Sequence, residues 1–285
     1  MTPAKTKNNR EQKLVDELFD NQATYWRDTY KAKDIQAIIY QQRQMVALKY
    51  IDGLALSKSA HVLEIGCGAG FMTTALAKRG FTVEAIDHVQ AMIELTQEHA
   101  RQEGVKNRIK AHIGDINELS YEDQFFNLIV ALGVFPWLRD SQRALTEVLR
   151  TLAAGGYVIL SIDNAYRLTT LLDPLTFPPF ALIRFRVRKK LEKKGLLASW
   201  NPSIDTLPYK QHSIREFNKN LNEAGLTIIN STSVGFGPFS FFGHYLFSER
   251  LGTKINLKLQ VYADKRYPIF RTTGSQYIVL ATKTH

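Results

Sequence analysis

The sequence predicts an α/β protein built on a doubly wound parallel sheet. Three observations carry this. Short apolar runs rich in β-prone residues alternate with amphipathic helical stretches from about residue 61 to residue 162, and such alternation means parallel strands with helices on both faces. The first run stops on a glycine turn and restarts as a helix, in His61-Val62-Leu63-Glu64-Ile65-Gly66-Cys67-Gly68-Ala69-Gly70. Acids and glycines then recur at the carboxyl ends of successive strands, the edge at which such sheets bind ligands.

The elements follow in order. The first ten residues read as an irregular basic start. Leu14, Val15, Leu18 and Phe19 recur at helical spacing, followed by Tyr25, Trp26 and Tyr30, and Asp34 is placed to cap a second helix carrying Ile35, Ile38, Ile39, Met45 and Val46. Residues 1–57 are therefore expected to form a helical N-terminal cover on the core that occupies 58–285. The cover is either a packing layer or a lid that excludes water from the ligand edge. Strands are expected at 61–65, at 81–87 ending in Asp87, at 108–113 before Gly114-Asp115-Ile116, and at 125–133, which is apolar throughout as a central strand should be. Helices are expected at 71–78 and around Val89, Met92, Ile93, Thr96 and Ala100, the latter closed by Gly104. Asp140 caps a further helix bearing Leu145, Val148, Leu149 and Leu152, which Gly155-Gly156 ends before a fifth strand at 157–162. A first cap insertion spans about 163–212. Ser213 and Glu216 have the spacing of a capping box for a helix through Leu221, and a sixth strand covers 226–234. A second insertion, about 235–273, opens with glycine and aromatic residues and continues with Ile255, Leu259 and Tyr262 at helical spacing, before a closing strand at 277–281.

At 285 residues the chain is long enough to bury a full core. No apolar run reaches the ~20 residues of a spanning helix. The first residues lack the apolar centre of a secretory signal. The single cysteine, Cys67, has no internal disulfide partner, so the expected setting is reducing and cytoplasmic. The formal net charge is +10, with a pI of about 9.5, which invites an anionic membrane surface, nucleic acid or an acidic substrate. Much of this excess lies at 177–194, where basic residues interleave with Phe180, Ile183, Val187 and Leu191 at helical spacing. Such a helix is simply solvated, lies on an anionic bilayer, caps an acidic substrate or meets nucleic acid, and the bilayer reading makes it the candidate for peripheral membrane association.

The glycine turn is not a dinucleotide fingerprint. That motif wants a third glycine where this chain has Phe71. The glycines are Gly66, Gly68 and Gly70, with Glu64 two residues before the first. Together with Ile86-Asp87, Gly114-Asp115, the 131–137 segment and the 152–161 segment, this resembles the class I S-adenosylmethionine (SAM) methyltransferases, and most of all small-molecule enzymes of the ubiquinone and menaquinone pathways. The specific motifs cover about 60–165. The resemblance implies a Rossmann-like seven-stranded sheet with the last strand antiparallel, SAM as cofactor and S-adenosylhomocysteine (SAH) as product. The chain departs from it at Asn127, where Asp often stands, a position read as structural.

Within that reading Glu64, Gly66, Cys67 and Gly68 form the turn that meets the cofactor. Asp87 stands where a carboxylate accepts ribose hydroxyls, with His88 as its neighbour. Asp115 is placed to accept from an adenine amino group, Ile116 lies against the ring, and Leu132 closes the fourth strand. From the lid, Tyr30 or Trp26 stacks near the ligand and Arg43 meets its carboxylate. Methyl transfer to an O or N atom of a small, hydrophobic or acidic acceptor is an in-line displacement and calls for a base, for which His212 and His244 are the candidates. No metal is expected. Asp163-Asn164 resembles part of a catechol-type metal site, but 131–134 offers no second carboxylate. Nucleic-acid amino methylation is disfavoured because the fourth strand ends in Gly-Val-Phe-Pro-Trp rather than an Asn/Asp-Pro-Pro-aromatic motif. A non-enzymatic SAM-binding module and an RNA methyltransferase are the rival readings.

Overall fold

The computed structural model describes residues 3–174, 176–177, 209–242 and 244–284, with side chains from residue 12 onward. Three helices come first: α1 (Pro3–Asn21), α2 (Ala23–Thr29) and α3 (Ile35–Asp52). The alternating core follows, as β1 (His61–Ile65), α4 (Phe71–Lys78), β2 (Thr82–Asp87), α5 (Gln90–Gln102), β3 (Ile109–Ile113), β4 (Phe126–Ala131), α6 (Ser141–Thr151) and β5 (Leu152–Asp163). After the short helix α7 (Leu168–Leu172) come α8 (Ile214–Glu223), β6 (Leu226–Val234), a small hairpin of β7 (Ser240–Phe241) and β8 (His244–Tyr245), α9 (Glu249–Asp264), α10 (Pro268–Thr272) and β9 (Gln276–Lys283).

The main sheet has seven strands in the order β3-β2-β1-β4-β5-β9-β6. The first five run parallel, and β9 is antiparallel to both β5 and β6. The strand that closes the chain thus inserts between β5 and β6, as the resemblance implied. Residues of β1 part to opposite faces, as a two-residue period requires. Val62 joins Val83, Leu128, Val130 and Ile159 beneath Ile39, Ala47 and Ile51 of α3 and Met72 and Leu76 of α4. Leu63 and Ile65 join Ile86, Ile129 and Leu160 on the other face, against Leu145 and Val148 of α6 and Phe217 and Leu221 of α8. Each such fully buried side chain contributes ~1.5–3 kcal/mol, so the sheet is anchored on both sides.

Local expectations hold at the two acid caps. Asp34 accepts from Ala37 N at 2.9 Å and Asp140 from Arg143 N at 3.0 Å. Asn127 accepts from His61 N at 2.9 Å and so ties β4 to the start of β1, a structural task.

Four expectations change. The chain is helical from Pro3, because proline suits a first helical turn and the Lys, Arg and Glu that follow are good helix formers. Leu152 belongs to β5 and not to the preceding helix, pairing with Phe126 before an irregularity in register. Gly155, at φ +69°, lies inside that strand and does not stop the helix. At Ser213 the side chain makes no capping bond, so the box with Glu216 does not form. Beyond Phe177, the basic stretch expected to form a helix over 177–194 lies outside the described residues.

Chain order reverses between β1 and β4, because β2 and β3 extend one way and β4 and β5 the other. A crevice opens at the carboxyl ends of strands at such a switch point.

Candidate active site

A cavity of about 590 Å³ occupies this crevice. Its floor is the glycine turn. Gly66 N and Cys67 N donate to Ile86 O at 2.8 and 3.1 Å, which ties the turn to the end of β2. Gly66, Gly68 and Gly70 all have positive φ, at +70°, +53° and +77°, a region open to glycine at little cost. The surroundings separate them. A Cβ at Gly66 would lie 2.5 Å from Val134 Cγ2, and one at Gly70 would lie 2.8 Å from Thr96 Cα, whereas one at Gly68 would meet nothing within 4 Å. Gly66 and Gly70 therefore serve packing, and Gly68 leaves its space to the cavity.

The acids around the turn are buried and individually held. Asp87 accepts from Gly68 N at 2.9 Å and from Val89 N at 3.0 Å, so it fixes the turn as well as facing the cavity. Burial raises its carboxyl despite those bonds. Glu64 is hydrogen-bonded to Thr73 Oγ1, and burial pushes it up to about 8. Thr96 Oγ1 donates to Gly68 O at 2.8 Å and to Cys67 Sγ at 3.3 Å. Burial raises the Cys67 thiol well above its usual range, so Cys67 is a small packing residue.

The N-terminal helices close the cavity from above. Gln12, Val15, Asp16 and Phe19 of α1, Trp26 of α2 and Gln36, Tyr40, Arg43 and Gln44 of α3 line it. Tyr30 stacks on Phe71, with ring centroids 4.5 Å apart and planes 18° apart. Arg43 is buried, donates to Tyr30 OH at 3.2 Å and lies 5.0 Å above the Tyr40 ring, while its Nε has no partner. Gly133 at the end of β4 makes room for this guanidinium, since a Cβ there would lie 2.5 Å from Arg43 Nη1. His88 Nδ1 pairs with Asp16 Oδ2 at 3.0 Å, which raises the imidazole and joins α1 to the sheet edge. Asp115 is exposed and accepts from both Asn117 N and Asn117 Nδ2 at 2.8 Å, while Ile116 beside it is buried.

Tyr30, Arg43, Glu64, Gly66, Cys67, Gly68, Asp87, His88, Asp115, Ile116 and Leu132 thus all line one cavity. The structure does not bring the two expected bases there. His212 lines a separate cavity of about 350 Å³ with Phe135, Ser141 and Phe217, and burial lowers its imidazole. Its backbone bridges to Asn164, which commits the ring to the side of α6 and α8. His244 is exposed in β8, where strand alternation sends Tyr245, not His244, to the cavity wall. Asn164 is wholly engaged: its Nδ2 donates to Thr272 O and Gly274 O, and its Oδ1 accepts from Tyr166 N.

Sequence reasoning missed the far side of the cavity. Phe19, Trp137, Asp163, Arg167, Tyr209 and Gln276 line it. Tyr209 OH donates to Asp163 Oδ2 at 2.5 Å, and the Tyr209 and Phe19 rings each lie 5.1 Å from Trp137. Asp163 was legible as an acid at a strand end. Tyr209 sits beyond the periodic part of an insertion, and only the fold brings it back.

Residues 63–160 match the methyltransferase domain family. A ubiquinone biosynthesis O-methyltransferase from Coxiella burnetii (strain Dugway 5J108-111) is 29% identical over 164 residues, which cover 58% of this chain and 66% of that protein. The chain therefore spans just under two thirds of that relative's length. Among solved structures, a complex that contains the Haloferax volcanii Trm112 methyltransferase activator matches with a TM-score of 0.58 at 14% identity, covering 94% of this chain and 98% of that one. Geranyl diphosphate methyltransferase in complex with SAM matches with a TM-score of 0.54 at 14% identity, covering 88% and 89%. Residues 63–160 thus resemble a methyltransferase domain, and the strand order and the solved structures show the Rossmann-like fold that such methyltransferases share.

Proposed function

We propose that this protein is a SAM-dependent methyltransferase that moves a methyl group to a hydroxyl oxygen of a small, hydrophobic acceptor by in-line displacement. One observation carries the reading: a single cavity runs from the open space at Gly68 past the end of β4 into a lobe walled by Trp26, Trp137 and Tyr209. The residues fit SAM. Arg43 is a buried cation with an unpartnered Nε, suited to a carboxylate. Asp87 is suited to ribose hydroxyls, and Asp115 with Ile116 to an adenine edge and face. When bound, the cofactor supplies a methyl group activated by a positively charged sulfur. The chain's own part is to hold both reactants in register and to exclude water beneath α1 and α2. The O-methyltransferase name of the curated relatives supports oxygen as the atom attacked.

The test is calorimetric titration with SAH, with NAD as control, followed by incubation of methyl-labelled SAM with a host-cell extract. Saturable SAH binding and label in the lipid or small-molecule fraction are expected. Label confined to RNA would replace the small acceptor, and SAH binding with no label would favour a non-enzymatic module.

We also infer peripheral contact with an anionic membrane through 177–194. Phe241, Phe242, Tyr245, Leu246 and Phe247 are exposed on and just after the hairpin whose Ser240 and Tyr245 line the cavity, an arrangement suited to an acceptor with a lipid tail. Salt-sensitive flotation with anionic liposomes is expected, lost when Arg184, Arg186, Arg188 and Lys189 are neutralised. Equal flotation of that variant would remove the contact.

A further inference from the structure

We propose that Asp163 is the base that takes the proton from a phenolic hydroxyl of the acceptor, and that Tyr209 positions it. This rests on the methyltransferase reading above and supplies the proton acceptor that the two histidines, standing outside the cavity, do not.

The cavity carboxylates differ in what holds them. Asp87 is held by two backbone N–H groups of the turn and the next loop, Glu64 by Thr73, Asp16 by His88, and Asp115 by Asn117. Asp163 alone among these is held by a side chain of the aromatic lobe, through Tyr209 OH on Oδ2. Its Oδ1 accepts no hydrogen bond among the described residues. Asp163 ends β5, which lies beyond β4 and on the far side of β1 from Asp87. It therefore stands across the crevice from the group suited to ribose, where an acceptor can reach.

The residue is also rigidly placed. Its backbone pairs in register with Gln276 of β9, and its carbonyl accepts from His212 N at 2.8 Å. Burial, reinforced by the adjacent Asp163 carboxylate, raises the Tyr209 phenol above its usual range, so that phenol stays a donor. Nearby, Trp26 Nε1 and Gln276 Oε1 are buried without partners. Unpaired buried polar atoms cost ~1–3 kcal/mol each, and a flat occupant with hydroxyl groups relieves that cost while stacking among Trp26, Trp137 and Tyr209. In the step, the acceptor O–H bond breaks and its proton goes to Asp163 Oδ1. The oxygen forms the new bond to the methyl carbon, and the electron pair of the broken S–CH3 bond stays on sulfur as a neutral thioether. The proton then leaves to water.

Two phenols separate base catalysis from a structural role: 4-methylcatechol, neutral near neutral pH, and 4-nitrocatechol, already ionised there. With Asp163→Asn, which keeps an acceptor for Tyr209 OH, kcat for 4-methylcatechol is expected to fall about 100-fold or more, the scale of a general base. The rate with 4-nitrocatechol should change little, and SAH affinity should not change. In the SAH complex, absorbance titration should show the 4-nitrocatechol anion binding more tightly to Asp163→Asn, which lacks the repelling carboxylate. Tyr209→Phe should lower kcat for 4-methylcatechol with KM unchanged, and should add nothing on top of Asp163→Asn. Equal losses on both phenols, or no loss on 4-methylcatechol, would overturn Asp163 as the base. Native protein that binds SAH yet labels neither phenol would overturn the phenolic acceptor and the base together. Failure to bind SAH would instead sink the cofactor reading on which both stand.

Discussion

Alanine at Gly68 and alanine at Gly70 should separate ligand binding from folding. Both glycines have positive φ, +53° and +77°, and an L-residue in that region costs ~1–2 kcal/mol. At Gly68 nothing else is added, because the new methyl meets no atom within 4 Å. At Gly70 it would lie 2.8 Å from the backbone Cα of Thr96 and 3.0 Å from its Oγ1. A helix backbone does not yield as a side-chain tip does, so overpacking adds ~1–3 kcal/mol. Gly68→Ala should therefore lose about 1–2 kcal/mol of stability and Gly70→Ala about 2–5 kcal/mol. Urea midpoints at constant m-value read this directly. For SAH the order inverts once folding is accounted for. The Gly68 methyl occupies ligand space, and calorimetric affinity should fall about tenfold or more, ~1.4 kcal/mol. Folded Gly70→Ala should retain most of its affinity. Unchanged SAH affinity in Gly68→Ala would refute the assignment of this turn as the cofactor floor. A stability loss there equal to that of Gly70→Ala would refute the steric distinction.

Three further outcomes are expected. Arg43 is buried, yet its bond to Tyr30 and the nearby Tyr40 and Asp163 outweigh burial and favour its charge, so Arg43→Met should cost a little apo stability, ~1 kcal/mol. The same change should weaken SAH binding about 10- to 100-fold, the worth of a charge-assisted bond, and calorimetry with matched melting curves checks both. Glu64 has its folded-state pKa raised from 4.5 to about 8. The folded state then binds the extra proton, and stability must fall as pH rises from about 4.5 to about 8 and level off above. Glu64→Gln should flatten this fall in melting temperature, and an unaltered profile would place the titration elsewhere. The His88 imidazole is raised by its bond to Asp16, so the contribution of that pair is present below the unfolded value of 6.5 and lost as pH rises through the folded one. Protection factors of the α1 amides, with the intrinsic pH dependence of exchange divided out, should fall across that range in the native protein, and should be lower and flat there in Asp16→Asn.

The sheet and most of the cofactor side were legible because local chemistry writes them into contiguous residues. Alternating apolar runs give the strands, and glycines at a strand–helix turn mark close approach. An acid at the end of β2 or after β3 announces its position by its place in the run. Leu152 and Gly155 were harder, because a helix stop and an irregular strand ask for the same glycine. The acceptor side followed the opposite rule. His212 and His244 bordered the insertions in sequence, yet one faces a second cavity and the other the hairpin surface. Asp163 and Tyr209 lie 46 positions apart and meet only because the insertion returns across the end of β5. The sequence by itself determined the parallel sheet, the glycine floor and the acids beside it, since each depends on a few neighbouring residues and a strand period. Only the tertiary structure decided which side chains share the acceptor lobe, because that depends on where long connections come back. No spacing along the chain encodes that return.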